Sequence, residues 1–143
     1  MGFNWRYDSG FVAGAVPDFA TALTFDADQQ AAIGLFCGNV FATLTSPLTS
    51  CPTGTPHGAT RVSIPADATD NDDKNPPRIA PRHLFDLAVG HDNLFHGDRF
   101  RWSARVTVIN ITNKEALYNF LSTFSGTHFV TPRAVTGELG FHF

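Results

Sequence analysis

Arg133-Ala134-Val135-Thr136-Gly137-Glu138-Leu139-Gly140-Phe141-His142-Phe143 closes the chain and alternates in polarity from end to end. Val135, Leu139, Phe141 and Phe143 fall on one side, with Gly137 as a gap among them. Ala134, Thr136, Glu138, Gly140 and His142 fall on the other. A period of two is the signature of a strand with one apolar face. Roughly 9–11 residues are enough for a tilted strand to cross the hydrocarbon core of a membrane, and this stretch has that length. A phenylalanine at the very end is out of place on a fraying soluble terminus, so the chain end is expected to be built into a larger structure.

Three further segments repeat the pattern. Phe3, Trp5 and Tyr7 alternate with Asn4, Arg6 and Asp8, and Phe85, Leu87 and Val89 alternate with Asp86, Ala88 and Gly90. The clearest case is Arg99 to Val108, where Phe100, Trp102, Ala104, Val106 and Val108 oppose Arg99, Arg101, Ser103, Arg105 and Thr107. The expected fold is all-β: an antiparallel meander of four strands near residues 3–13, 83–90, 99–110 and 132–143. A long loop near 14–82 is expected to hold one short helix.

Composition agrees. Fourteen phenylalanines stand against one methionine, and charged residues make up 16% of the 143, below the roughly 25% of an average soluble domain. The longest apolar run, Ala31 to Leu44, is interrupted by Gly34, Gly38 and Asn39 and is shorter than the ~18 residues of a spanning helix. Any membrane role is therefore a β-barrel role. A net charge of -3 with few, dispersed lysines and arginines leaves no electrostatic footprint for nucleic acid. The N-terminal Met1-Gly2-Phe3-Asn4-Trp5-Arg6 is not a secretory signal, and Asn4, Arg6 and Asp8 suit the inner face of a strand better than a myristoylation site. The expectation is a chain that stays in the cytosol or begins partway through a longer protein.

The connections alternate in length. The second and third strands are joined by His91 to Asp98, with the turn-formers Asn93 and Gly97-Asp98. The connections Asn110 to Pro132 and Gly10 to Arg82 are long. Short turns on one rim and long loops on the other are the habit of outer-membrane barrels.

The run Pro81-Arg82-His83-Leu84-Phe85-Asp86-Leu87, then Asp92-Asn93-Leu94-Phe95, then Val108-Ile109-Asn110-Ile111-Thr112-Asn113-Lys114, then the aromatic-terminated last strand, resembles the C-terminal end of TonB-dependent outer-membrane receptors. In that family an Asn-Leu-x-Asn/Asp-Lys-like segment closes the penultimate strand. The resemblance is strongest over Asn75 to Phe143. It implies a barrel-assembly signal at Thr136, Phe141 and Phe143, with Glu138 standing where the family has a glycine. It implies part of a barrel of about 22 strands around a plugged lumen, in a bacterial outer membrane. The parent would import a nutrient such as a siderophore, vitamin or glycan.

On this reading the plug is absent, the energy-coupling protein is reached only through the missing N-terminal part, and the chain alone transports nothing. Its partners are outer-membrane lipid, the barrel-assembly machinery, and the rest of the barrel and plug. Phe100, Trp102, Val106, Val108, Leu139, Phe141 and Phe143 would face lipid; Arg6, Asp8, Asp86, Arg101, Arg105 and Glu138 would face the lumen.

Within the long loop, Asp26-Ala27-Asp28-Gln29 reads as a capping box opening a helix through about Phe36 that ends by Gly38. Cys37 and Cys51, the two cysteines, could close a disulfide loop of about 15 residues, adding about 3 kcal/mol; two free thiols would suit a cytosolic chain. Asp67 to Lys74 is acidic, yet lacks the glycine and final glutamate of a calcium loop, and reads as a solvated segment. Asn75-Pro76-Pro77-Arg78 reads as extended chain leading back into a strand. His91 and His96 share a turn, but neither they nor His57, His128 and His142 match a metal-ligand spacing. No nucleophile elbow, phosphate loop or dinucleotide fingerprint is present, so neither catalysis nor a cofactor is expected. The alternative from another class is a small soluble antiparallel β module for binding or interaction, since alternation serves a half-buried sheet equally well.

Overall fold

The computed structural model describes residues 1–65, 76–123 and 126–143; the acidic segment Asp67–Lys74 and Asn75 lie outside them. The described residues form antiparallel sheets with two short helices, an all-β chain. In chain order the elements are β1 (Gly2–Asp8), α1 (Phe19–Leu23), α2 (Ala27–Ile33), β2 (Leu35–Cys37), β3 (Val40–Phe41), β4 (His57–Ala59), β5 (Val62–Ser63), β6 (Arg78–Ile79), β7 (Arg82–His91), β8 (Arg101–Ile109), β9 (Leu117–Ser122), β10 (Gly126–Phe129) and β11 (Ala134–His142). They divide into two compact units.

The first unit comprises Met1–Asp8, His83–Glu115 and Val130–Phe143. Its sheet runs β1-β7-β8-β11, a meander in which each strand lies beside the next long strand of the chain. The β8–β11 register is unbroken from Ala134 opposite Ile109 to His142 opposite Arg101, and β7 pairs with β8 from Leu87 opposite Val108 to His91 opposite Ala104. Aromatic and β-branched residues such as Trp5, Phe85, Val106, Val108 and Phe141 recur on one face of these strands, the types that fit a pleated, half-covered surface. Asn93 shapes the turn between β7 and β8: its side chain both donates to the Gly97 carbonyl and accepts from the Gly97 amide, each at 3.1 Å. The third strand starts at Arg101 rather than 99 because this turn extends to Phe100.

The second unit comprises Ser9–Arg82 and Ala116–Phe129, the two stretches expected as long loops. They share one core, with Val16, Ala22, Ile33, Leu35, Val62 and Leu117 fully buried. The expectation of an irregular loop is thus corrected: apolar residues too scattered to show a period meet once short strands and helices bring them together. The hairpin β9–β10 supplies part of that core.

Two boundaries differ from expectation for identifiable reasons. The first strand stops at Asp8, not 13, because Gly10 turns with φ +87° against the Ile79 carbonyl. The chain stays extended afterwards but changes partner, with Ile79 donating to the Phe11 carbonyl (2.9 Å) and Ala13 to Pro77 (2.8 Å). The helix from the Asp26 capping box forms, with Gln29 and Asp26 hydrogen-bonded reciprocally. It ends at Gly34, a left-handed C-cap (φ +67°), rather than by Gly38; a Cβ at Gly34 would also overlap the Thr60 hydroxyl. Gly38 instead opens the two-residue turn of the β2–β3 hairpin with φ +59°, a position that favours glycine. Buried Gln30 fastens α2 to the following segment, donating to the Leu48 carbonyl (3.0 Å) and accepting from its amide (2.8 Å). Cys37 and Cys51 are joined in a disulfide, Cα atoms 5.8 Å apart.

Candidate functional site

In the first unit, unbroken register and a period of two sort the sheet into two faces. Glu138 lies directly opposite Arg105, His142 opposite Arg101 and Thr136 opposite Thr107, so one face is polar. Phe141 lies opposite Trp102 and Val135 opposite Val108, and Leu87 and Val89 continue the apolar row into β7.

The apolar face is not a core. Leu139 is 81% exposed, Val135 66%, Phe3 65% and Val106 50%. Soluble monomers rarely leave so continuous an apolar surface open. Its side chains are also ordered along the strands. At the end that leads into the long segments, Trp5 and Tyr7 gather on His83, and Trp5 Nε1 donates to His83 Nδ1 at 3.1 Å. At the opposite end, Phe141 packs on Trp102 (4.8 Å), Phe100 (5.9 Å) and Phe143 (6.2 Å). Between them lie Leu87, Val89, Val106, Val108, Val135 and Leu139. Aromatic groups bracketing an aliphatic band match the preference of tryptophan and tyrosine for membrane–water interfaces. The strands β7, β8 and β11 span 10, 9 and 9 residues, the length a tilted spanning strand needs.

Among the residues expected to face a lumen, Arg101, Arg105 and Glu138 share the polar face of β8 and β11, and Arg6 and Asp8 lie on β1. Asp86 makes more specific contacts. It accepts from the Asn4 side chain at 3.2 Å and from the Asn110 backbone amide at 2.8 Å, tying β1 and the end of β8 to β7. Thr136 and Phe141 lie on opposite faces of β11, and Phe143, 96% exposed, follows the strand.

Asn110 stands out in the sequence only as part of a family-like run. It is buried in the left-handed region (φ 50°). Its Nδ2 donates to the Lys114 and Thr131 carbonyls (3.1 and 2.9 Å), and its Oδ1 accepts from the Lys114 amide (2.9 Å). Asparagine tolerates this backbone conformation better than most residues, which is the signal that points to it. Nearby, Asn113 accepts from the Arg133 amide at 3.0 Å, anchoring the chain just before β11.

Compared with protein-family models, curated proteins and solved structures, the chain matches none.

His91 and His96 approach to 5.8 Å between ring centres, and among the described residues no three His, Cys, Asp or Glu side chains gather into a set suited to a metal ion. No helix of the described residues is long and apolar enough to cross a membrane, which leaves crossing by strands open. In the second unit an open cleft of about 690 Å³ lies between the 11–15 segment and β9, with Phe11, Tyr118 and Phe120 among its lining residues.

Proposed function

We propose that this chain is the C-terminal barrel segment of a TonB-dependent receptor in a bacterial outer membrane, whose parent imports a nutrient. The observation behind this reading is the uncovered apolar face, bracketed by aromatics at both strand ends and backed by a polar face holding Arg101, Arg105 and Glu138. The apolar face meets lipid, and the polar face lines the lumen beside the plug. Asn110 and Asp86 fix the rim from which the long segments depart. Thr136, Phe141 and Phe143 act in recognition by the barrel-assembly machinery. The energy-coupling protein is engaged only through the receptor's N-terminal part, and the chain takes no part in catalysis or nucleic-acid binding.

Four strands cannot close a membrane barrel, which takes about eight at the least. Unpaired edges in lipid cost several kcal/mol per backbone group. The chain expressed alone is therefore expected to transport nothing. A second reading, a soluble antiparallel β binding module, draws support from the buried core and disulfide of the second unit, but gives the apolar face of the sheet no role.

Facing is tested by paired substitutions in vesicle-flotation assays. Val106→Arg puts a charge on the lipid side at about 2–4 kcal/mol if near the midplane, and is expected to abolish flotation. Arg105→Val, one residue along on the opposite face, is expected to leave most of it. Equal effects would overturn the assignment.

A further inference from the structure

We propose that Cys51 is a modification site for small thiols, at which thiol–disulfide exchange opens the Cys37–Cys51 bond, and that His57 assists the departure of the Cys37 sulfur. The two sulfurs differ in access. Cys37 is buried, 9% exposed, whereas Cys51 is only partly buried. Cys51 also precedes the exposed turn 52–54, which the Thr55 amide closes by donating to the Pro52 carbonyl at 3.1 Å. A thiolate arriving from solvent therefore meets the Cys51 sulfur first, and access helps decide which sulfur of a disulfide is attacked.

His57 stands beside the sulfur that leaves. Strand β4 pairs with β2 so that His57 lies directly opposite Cys37 and Ala59 opposite Leu35, and such opposed side chains share one face with Cβ atoms roughly 5 Å apart. Buried Phe19 packs on the imidazole, ring centres 4.1 Å apart. His57 Nδ1 donates to the Thr55 carbonyl at 2.8 Å. A carbonyl can only accept, so Nε2 is the nitrogen that gains or gives the second proton.

Little other charge surrounds this pair. The chain has no aspartate, glutamate, lysine or arginine between Asp28 and Arg61, which covers β2, β4 and the turn before β4. Helix α1 brings Asp18 at its cap, whose carboxylate accepts from the Thr21 amide at 2.6 Å. The turn after β4 brings Arg61, which donates to the Ala31 and Ala32 carbonyls.

An incoming thiolate bonds to Cys51 Sγ as the disulfide breaks, and the electron pair departs with Cys37 Sγ. The imidazolium form of His57 sets a positive charge beside the departing thiolate, which then takes a proton from solvent. A neighbouring histidine cation makes a thiol more acidic, and a more acidic thiol leaves faster. The products are a mixed disulfide at Cys51 and a free Cys37. A second small thiolate attacks the outer sulfur of the adduct and releases Cys51, so two small thiols are oxidised to one disulfide while the protein disulfide is reduced.

Every residue in this argument belongs to the second unit, so a sheet that fails to enter lipid leaves the proposal intact, and a disulfide that resists exchange leaves insertion intact. The experiment exposes the full oxidised chain in detergent to reduced glutathione, quenches it with an alkylating agent and maps the adduct by mass spectrometry. The glutathione adduct is expected on Cys51 and the alkyl group on Cys37. The exchange rate, divided by the glutathione thiolate concentration, is expected to rise about tenfold from about pH 8 to about pH 5, the interval over which imidazoles take up a proton. His57→Gln keeps a donor for the Thr55 carbonyl and is expected to flatten that profile. Mapping and the native profile use the unaltered chain, so they decide the matter even where the variant misfolds. An adduct on Cys37, no adduct at all, a flat native profile, or a rise retained by folded His57→Gln would each overturn the proposal.

Discussion

At the scale of single residues, the first unit depends on a small number of polar side chains rather than on a core. Asn110 satisfies the chain at the point where β8 ends, and Asp86 joins that point to β1 and β7. Replacing Asn110 with alanine removes four side-chain hydrogen bonds and leaves a Cβ residue in the left-handed region. The expected loss is about 3 kcal/mol, from roughly 1–2 for the backbone conformation and more from the unpaired buried groups. Asn110→Gly relieves only the backbone part and is expected to fall between the two in urea-unfolding midpoint. A cost below that of Asn110→Gly for the alanine variant would remove Asn110 from its structural role. In the sequence this residue is one position in a run; its role rests on partners as distant as Thr131, which no local pattern displays.

Among the elements, legibility follows periodicity. The alternation of Arg99 to Val108 and of Arg133 to Phe143 is enough to sort side chains onto faces, and the unbroken register of β8 with β11 keeps them there. The Asp26–Gln29 capping box is equally readable, because capping is a contact between near neighbours. Helix length is less so: Gly34 and Gly38 carry the same C-cap signal four residues apart, and it is Gly34 that takes the left-handed cap, while Gly38 turns the following hairpin. Helix α1 has no sequence signal of its own, because its five residues show no period; its start is marked by Asp18, which accepts from the Thr21 amide at 2.6 Å. That backbone hydrogen bond, with one from the Thr21 side chain, holds the Asp18 carboxyl below its ordinary value of 3.8.

A carboxyl with a lowered folded pKa contributes stability above its unfolded value, and the contribution disappears as pH falls through the folded one. Asp18→Asn is therefore expected to be less stable than the native chain at neutral pH, with the gap closing below about pH 4. A gap constant with pH in urea titrations would contradict the capping role of the carboxylate. The disulfide acts on a larger loop: Cys37 and Cys51 are separated by 14 residues, and Cys37→Ser with Cys51→Ser is expected to cost about 3 kcal/mol. The unit's thermal or urea midpoint should fall by the same amount in reductant, and no difference between oxidised and reduced chain would contradict it.

For the molecule as a whole, the two units solve opposite problems. The second buries its apolar residues in a core shared by segments far apart in sequence. The first lines up its apolar residues on one side of a sheet and leaves them exposed, which exposes a water-facing protein to aggregation and a lipid-facing one to nothing worse than its solvent. The long connections look like loops in the sequence because residues such as Val16, Ile33, Val62 and Leu117 have no common period, and only the tertiary arrangement unites them. The central claim, that the apolar face meets lipid, can be read directly from the two tryptophans of the chain. Trp5 and Trp102 lie on that face toward opposite ends of its strands. The chain is folded in the presence of vesicles whose lipids are brominated near the headgroup, and Trp5→Phe and Trp102→Phe variants report each site alone. The account predicts that the chain floats with the vesicles and that both tryptophans are quenched by the bromines and shielded from aqueous acrylamide. A monodisperse chain left in solution, with both tryptophans quenched by acrylamide and neither by bromine, would contradict it.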